Sequence, residues 1–394
     1  MKISVVVGDL SSSGAGRWGG AVRPFLLSQA LQQLNLEVEM VGFVQNDNQP
    51  VTTNTQVPII SVPRKHNFYP QFFISAQQLL RQITGDIIYA YKPKPTSWGI
   101  SLIKKLQTRR PVILDIDDWE LSWHGGDQWK YSPTLRQLAR DVLKPDGSLR
   151  QPDHPFYLKR MESLVSKADV ITTHNQFLQQ RFGGVYVPNG KDVNLFDPTK
   201  YDAQKSRSRY GLSEYRILMF PGAPRPYKGV EDILMALDLL DQPDLRLVIV
   251  GGSPYDDYDK ELTDKWGRWI IKIPKSPSTE MPAIVAAAHI IVIPQRDSPA
   301  AQAQFPLKLT DGMAMAKPIL STRVGDIPDI LGNTGYLVDP ESPEQLAENI
   351  QSIFANWEEA EAKGRQARLK CTAQYSLEAM SAILSDVIAK VSSQ

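Results

Sequence analysis

Short β-branched runs alternate with longer stretches of helical apolar spacing, and this alternation passes through the chain twice. Ile3–Val7, Val38–Phe43, Asp86–Tyr91, Pro111–Ile116, Val170–Thr173 and Val185–Val187 have strand length, with helical spacing between them at Pro24–Leu34 and Phe156–Lys167. Runs that are apolar at successive positions need cover on both faces. Crossover helices supply that cover, so the pattern predicts a parallel sheet. A turn signal at Pro188-Asn189-Gly190 and a polar stretch at Asp197–Arg209 then break the series. The pattern restarts with strands at Arg216–Phe220, Leu245–Gly251, Ile270–Ile273, Ile290–Pro294 and Pro318–Ser321. Helical spacing separates them at Val230–Leu240, Met281–Ala288 and Leu307–Ala316, and continues at Gln345–Ala355 and Trp357–Tyr375. The two halves show no clear repeat. At 394 residues the chain exceeds one ordinary core. Two doubly wound units facing each other would place a ligand cleft at the carboxyl ends of their strands.

Composition narrows the function classes. Lys plus Arg number 44 and Asp plus Glu 43, so net charge gives no general pull toward nucleic acid. Cys371 is the only cysteine, which excludes an intramolecular disulfide and fits a reducing compartment. The longest apolar runs are strand-length, and Met1 leads straight into KISVVVGDL rather than into a signal peptide. A cytoplasmic location is expected, with peripheral membrane contact left open.

Three loops carry the candidate chemistry. Phe305–Leu331 joins a Pro-Leu-Lys turn, Asp311, a small-residue helix, a short strand and a Gly-Asp-Ile-Pro turn. A helix N-terminus suits a phosphate, and a carboxylate one turn in suits ribose hydroxyls. Pro221–Gly229, PGAPRPYKG, sets Arg225 and Lys228 around a proline-stiffened turn before a helix, which is a natural pyrophosphate clamp or a solvated basic turn. The third loop, GDLSSSGAGRWGGAVRPF, has Gly14, Gly16 and Gly19 in dinucleotide-fingerprint spacing. The acidic residue expected after the next strand is missing, since Val41-Gly42-Phe43 ends it. The preferred reading is a loop that closes over an acceptor or a donor phosphate.

The region Trp119–Pro155 holds Trp119, Trp123, Trp129 and His124 with poor periodicity. It reads as an elaborated insert, either functional or simply packed by its tryptophans. Five histidines, His66, His124, His154, His174 and His289, lack metal-ligand spacing. His174 follows a strand and is placed to face a cleft, His124 is placed to meet an acceptor, and His289 reads as a packed residue.

The segments PGAPRPYKGVEDILMAL, LRLVIVGG, AAAHIIVIPQ and FPLKLTDGMAMAKPILSTRVGDIPDIL resemble the donor-binding half of retaining glycosyltransferases of family 4. The first half agrees in pattern through its glycine-rich first loop, LLSQALQQLNLEVEMVGF, and ADVITTHNQFLQQRF followed by VYVPNGKDVNLF. The resemblance implies an α/β chain of GT-B fold, with two Rossmann-like doubly wound domains facing each other across a cleft. Residues 1–190 would form the acceptor side, 191–376 the nucleotide-sugar donor side, and the last helix, within 377–394, would return to the first domain.

The same resemblance implies the roles of particular residues. Lys228 would contact the donor diphosphate, with Arg225 as a second cation and Gly222 in the same loop. The backbone of Phe305, Pro306 and Leu307 would also meet the diphosphate, and Lys308 would lie near sugar or phosphate. Asp311 would hold the ribose hydroxyls. Ile273 would lie near the base, and Gly16 would approach the phosphate from the other domain. The reaction implied is transfer of a sugar to an acceptor hydroxyl with retained anomeric configuration. The donor substrate would be a nucleotide-diphospho-sugar, with no cofactor and no metal. A glycan, a lipid-linked molecule or a small molecule would be the acceptor.

Two departures stand out. Ala303 occupies the place of the first glutamate of the family's E-x7-E motif, leaving Asp297, Gln302 or Gln304 as sugar-side substitutes. Asp117 falls where many members carry a histidine, in DIDDW, where Asp115, Asp117 and Asp118 crowd one strand end. That cluster reads as a metal site, a solvated strand-end cap or an acceptor-positioning group. The first is discounted because GT-B enzymes generally work without a metal. Besides the transferase, two other readings fit: a nucleotide-sugar-binding protein without transfer activity, favoured by Ala303, and a GT-B-fold epimerase.

Overall fold

The structure is a computed structural model, and it describes residues 1–11, 22–45, 57–64, 68–252 and 256–393. The chain divides into two compact units. Unit 1 comprises Met1–Asn189 with Met380–Gln394, and unit 2 comprises Gly190–Ala379.

Unit 1 is built on strands β1 (Lys2–Val7), β2 (Glu37–Gln45), β3 (Ile59–Arg64), β4 (Ile87–Tyr91), β5 (Val112–Ile116), β6 (Val170–Thr173) and β7 (Val185–Tyr186). They form one seven-stranded sheet in the order β3-β2-β1-β4-β5-β6-β7, and each neighbouring pair is parallel. β3 escapes the alternation pattern because Pro63 interrupts it. It lies at the sheet edge, where a missing N–H is tolerated. Leu377–Ser392 forms the last helix and completes this unit. Met380, Leu384, Val387 and Val391, spaced along one helical face, are at most 2% exposed, and Ser381 Oγ donates to Ala30 O at 2.8 Å.

Unit 2 has strands β8 (Arg216–Pro221), β9 (Leu245–Val250), β10 (Ile270–Ile273), β11 (Ile290–Ile293), β12 (Ile319–Thr322) and β13 (Tyr336–Val338). The six-stranded sheet runs β10-β9-β8-β11-β12-β13, again with parallel neighbours. Successive side chains enter opposite cores. Ile217 and Met219 join one buried cluster, while Leu218 and Phe220 join the other. This double burial is why the strands read as continuous apolar runs. Strand order reverses between β8 and β11, so the carboxyl ends of these two strands flank the topological switch point.

The break at Asp197–Arg209 is not unstructured throughout. It contains a helix, Ala203–Arg209, started by Asp202, whose carboxylate accepts from Gln204 N at 2.8 Å and Lys205 N at 2.9 Å. Its polar sequence hid it, because capping rather than an apolar stripe defines it. The Trp-rich insert likewise includes a regular helix, Leu135–Leu143, with a Thr134–Gln137 capping box.

Candidate functional site

Unit 2 gathers most of the residues singled out from its sequence at the switch point. β8 ends at Pro221, and Gly222 follows with φ +152°. The chain then makes a single turn at Pro226–Lys228 and bends again at Gly229, with φ +65°. A Cβ at Gly229 would collide with the carbonyl oxygen of Pro294, just past β11. Glycine is therefore required for the loop after β8 to close on the end of β11. Tyr227 O reinforces the closure by accepting from Arg296 N at 2.9 Å.

That closure directs the Lys228 ammonium back onto the strand end, where it donates to Ala223 O at 2.9 Å. From the other side of the switch point comes the helix Leu307–Ala314, preceded by Pro306. Its Lys308 ammonium sits 4.7 Å from the centre of the Phe220 ring, and a Cβ built on Gly222 would lie 3.9 Å from Lys308 Nζ. One ammonium group thus lies beside Gly222 and the other on the next carbonyl, Ala223 O, with the charge of Lys308 acting on Lys228. Burial, and then the charges of Lys308 and Arg225, push Lys228 down to about 6. Burial also pulls Lys308 down to about 8, against the opposing pull of Asp311. The site stabilises neither cation fully. An anion placed between them would raise both and remove their repulsion.

Arg225 is committed differently. Its guanidinium donates to Asp256 at 2.7 Å, so its charge is shared with a carboxylate. Asp311 lies one turn into the helix, is 9% exposed and pairs with the Lys191 ammonium, which also sits 4.3 Å from the Phe196 ring centre. Lys191 is held in place by its backbone, donating to Tyr375 O at 2.7 Å and accepting from Leu377 N at 3.0 Å. No role for Lys191 was read from the sequence. The only signal was its place directly after the Pro188-Asn189-Gly190 turn.

The remaining unit 2 candidates spread out. Phe305 is buried beside Tyr375, with ring centres 6.1 Å apart. Gln304 donates to Tyr227 OH at 3.2 Å, which links the two loops of the switch point. Asp297 is exposed and accepts from Gln302 at 2.7 Å. Ala303 is fully buried. Ile273 ends β10 with its side chain in the core, leaving its backbone oxygen to accept from Gly251 N at 2.8 Å.

In unit 1 the acidic cluster at the end of β5 has a cation at its centre. Lys92, at φ +70° just past β4, lies 3.5 Å from Asp117, 3.7 Å from Asp118 and 2.8 Å from Glu120. Lys94 reaches Glu120 at 2.8 Å, and Tyr91 OH donates to Asp117 at 2.5 Å. Burial raises Asp118, helped by Glu120 and Asp117. Glu120 is lowered because Lys92 and Lys94 outweigh its burial. Asp115 is separate from this group. It is fully buried and held by both arms of Arg23 at 2.7 Å, with Thr172 adding a third bond at 2.7 Å.

Trp119 is buried, with the Arg181 guanidinium 3.9 Å from its ring centre. His124 is exposed, whereas His174 is 4% exposed and held well below its usual range by burial and by Arg23 and Lys92. His289 accepts from Ile217 N at 3.0 Å and packs against Trp357. Gly16 lies outside the described residues. Among the described residues, no group of three or more His, Cys, Asp or Glu is placed to hold a metal ion, and no helix is long and apolar enough to cross a membrane.

Residues 202–370 match the family model described as Glycosyl transferases group 1. The chain is 25% identical over 226 residues to a GDP-mannose-dependent alpha-(1-6)-phosphatidylinositol monomannoside mannosyltransferase of Mycolicibacterium smegmatis, covering 53% of this chain and 59% of that protein. It is 24% identical over 320 residues to N-acetyl-alpha-D-glucosaminyl L-malate synthase of Bacillus anthracis, covering 79% and 77%. A D-inositol 3-phosphate glycosyltransferase of Segniliparus rotundus is matched over 52% of its length, so the chain spans about half to three-fifths of several such relatives. Among solved structures, Anabaena HepE in complex with UDP and glucose aligns with TM-score 0.72 at 16% identity, covering 99% of both chains. Sucrose-phosphate synthase of Thermosynechococcus elongatus aligns with TM-score 0.74 at 16% identity, covering 100% and 99%. At these identities the structures speak to the fold, which is GT-B.

Proposed function

We propose that this chain, a member of the group 1 glycosyl transferases through its second unit, moves a sugar from a nucleotide-diphospho-sugar to an acceptor hydroxyl with retention of configuration. The observation that carries this reading is the convergence of Lys228 and Lys308 beside Gly222 at the switch point of unit 2. Two half-buried cations whose charged forms are disfavoured suit a ligand with two adjacent negative charges, and a diphosphate is such a ligand. Breaking the anomeric C–O bond leaves charge on the departing diphosphate, and preformed ammonium groups stabilise that charge where it develops. The N-terminus of Leu307–Ala314 adds its dipole on the same side. Asp311, with Lys191 beside it, takes the ribose hydroxyls.

In a front-face transfer the departing phosphate oxygen accepts the proton of the attacking hydroxyl. Unit 2 then needs no strong carboxylate base, in keeping with an alanine at position 303. Gln304, Asp297 and Lys308 are the residues left to meet the sugar. Unit 1 is assigned the acceptor side, with the Asp117 cluster, Trp119, His124 and His174 as its candidates. The acceptor is a glycan, a lipid-linked molecule or a small molecule, no cofactor is used, and the location is cytoplasmic. UDP and glucose in the HepE complex, and a GDP-mannose-dependent relative, support a nucleotide donor without choosing its base.

A thermal-shift panel of UDP-, GDP- and ADP-sugars, followed by turnover with the sugar that binds, tests the reading. A rise in melting temperature with one donor, and transfer that disappears in Lys228→Ala, is the expected result. Binding without transfer or hydrolysis would favour the alternative in which the alanine at 303 marks a nucleotide-sugar-binding protein. No shift with any donor would overturn the donor site itself.

A further inference from the structure

The helix Leu135–Leu143 in unit 1 breaks the usual rule for a helix of a folded chain. Its large apolar residues stand at positions 135, 138, 142 and 143, which share one face. None is buried: Leu135 is 87% exposed, Leu138 39%, Val142 47% and Leu143 77%. The only buried residue is Asp141, held by Tyr131 OH at 2.7 Å. Nine residues are too few to hold a helix in water by propensity alone, so an apolar stripe of this length calls for cover.

The stripe does not stand alone. Val142 and Leu143 line a groove with Tyr69 and Phe73, and the same two aromatics line a second groove of about 600 Å³ that reaches Ile103 and Leu106. Phe73 is 60% exposed, Ile103 41% and Leu106 84%. The result is one apolar strip across three helices, Phe72–Gln82, Ile100–Thr108 and Leu135–Leu143. Isolated apolar surface residues are ordinary, but a continuous strip of this extent marks an interaction surface.

Charge identifies the occupant. Among the described residues, the charged side chains lining the grooves are Lys105, Lys167 and Arg150, with no carboxylate. Lys105 is shared with Asp169 at 2.6 Å. Arg150, in contrast, spends its N–H groups on the carbonyls of Tyr69 and Lys144 and on the Gln71 amide, which leaves its charge uncancelled by these partners. Arg136 lies within the exposed helix, and Lys144 caps its end. Long cationic side chains bordering apolar surface can bury their stems and keep their heads in a phosphate layer.

We propose that this strip docks unit 1 at the headgroup–acyl boundary of a bilayer containing anionic lipid. Leu135, Leu138, Val142, Leu143, Phe73 and Leu106 enter the acyl edge, and Arg136, Lys144 and Lys167 meet lipid phosphates. Such a surface would bring a lipid-linked acceptor to unit 1, but the docking itself needs neither Lys228 nor a donor.

Vesicle co-sedimentation tests it with the full chain. Phosphatidylcholine vesicles carrying phosphatidylglycerol are expected to pull the protein down, and phosphatidylcholine alone to do so at least about tenfold less well. The triple variant Leu106→Ser/Leu135→Ser/Leu143→Ser changes side chains that the fold barely touches, so it should melt like the wild type and lose sedimentation. Arg136→Gln/Lys144→Gln/Lys167→Gln should weaken binding about fivefold per charge removed and abolish much of its salt dependence. Wild-type protein staying in the supernatant, equal pull-down by neutral vesicles, or an unaffected triple variant would each overturn the proposal. So would a dimer in solution that the serine variant dissociates, because the strip would then be covered by a second copy. The nucleotide-induced thermal shift, measured on the same samples, reports on the donor site independently.

Discussion

The carboxyl ends of the parallel strands hold opposite electrostatic solutions in the two units. In unit 1, Lys92 and Lys94 sit among Asp117, Asp118 and Glu120, so half-buried charges of both signs answer one another. In unit 2, Lys228 and Lys308 converge on the Gly222-Ala223 turn, the first on a backbone carbonyl and the second over an aromatic ring. The first arrangement pairs its charges within the chain, although Oδ1 of Asp117 and Oδ1 of Asp118 are buried without a hydrogen bond among the described residues. The second carries a cost that Asp311 relieves only in part and that an outside anion would remove. Both occupy the position where α/β sheets bind ligands, yet only one advertises what it binds.

The largest effect should come from breaking the side whose charges are paired. Lys92→Met strips the central cation from three carboxylates and should destabilise the chain by about 3–5 kcal/mol, read from urea unfolding. A shift under about 1 kcal/mol would mean the cluster is solvated rather than interlocked. The open side should respond in function instead. Lys228→Ala should lower donor turnover by about 10²-fold or more with the circular dichroism spectrum unchanged. Turnover at the wild-type rate would remove Lys228 from the reaction.

A third test sharpens the contrast through protons. Because Lys228 is depressed to about 6 and Lys308 to about 8, an anion should recharge them, and pyrophosphate binding at pH 8 should take up about one proton. Calorimetry in buffers of differing ionisation heat measures this directly, and a binding heat independent of buffer would contradict it. The smallest expected effect is on the unliganded protein. The unfolded chain binds more protons than the folded one between pH about 6 and the ordinary lysine range, so the wild type gains stability as pH rises through that window. Lys228→Met removes the penalty. It should raise the melting temperature by a few degrees near pH 6, and the gain should shrink toward pH 10.

Legibility in the sequence followed the physics of each element. Strands buried on both faces announced themselves as apolar runs, so eleven of the thirteen among the described residues were expected near where they lie, the exceptions being β3 with its proline and β13, which is only three residues long.

 The loops after β8 and β11 were legible because Gly, Pro and Lys cluster there, and the structure brings Gly222, Lys228 and Lys308 together. Lys92 and Lys191 were not legible. Each acts through a partner far away in sequence, Lys92 on Asp117 and Glu120, Lys191 on Asp311, and nothing local to either lysine reports that distance. The exposed stripe of Leu135–Leu143 was hidden for a different reason. Apolar spacing in a sequence states that a face wants cover, not whether the chain provides it.

The return of the last helix to unit 1 has a consequence for how the protein is made. Unit 2 is continuous in the chain, whereas unit 1 is assembled from its beginning and its final residues. During synthesis unit 2 has all its strands as soon as it leaves the ribosome. Unit 1 emerges first, but it must wait with the seat of Met380, Leu384 and Val387 open until the final helix arrives. The half made earliest is thus the half finished last, and for that interval its uncovered apolar seat is the stretch most in need of a chaperone.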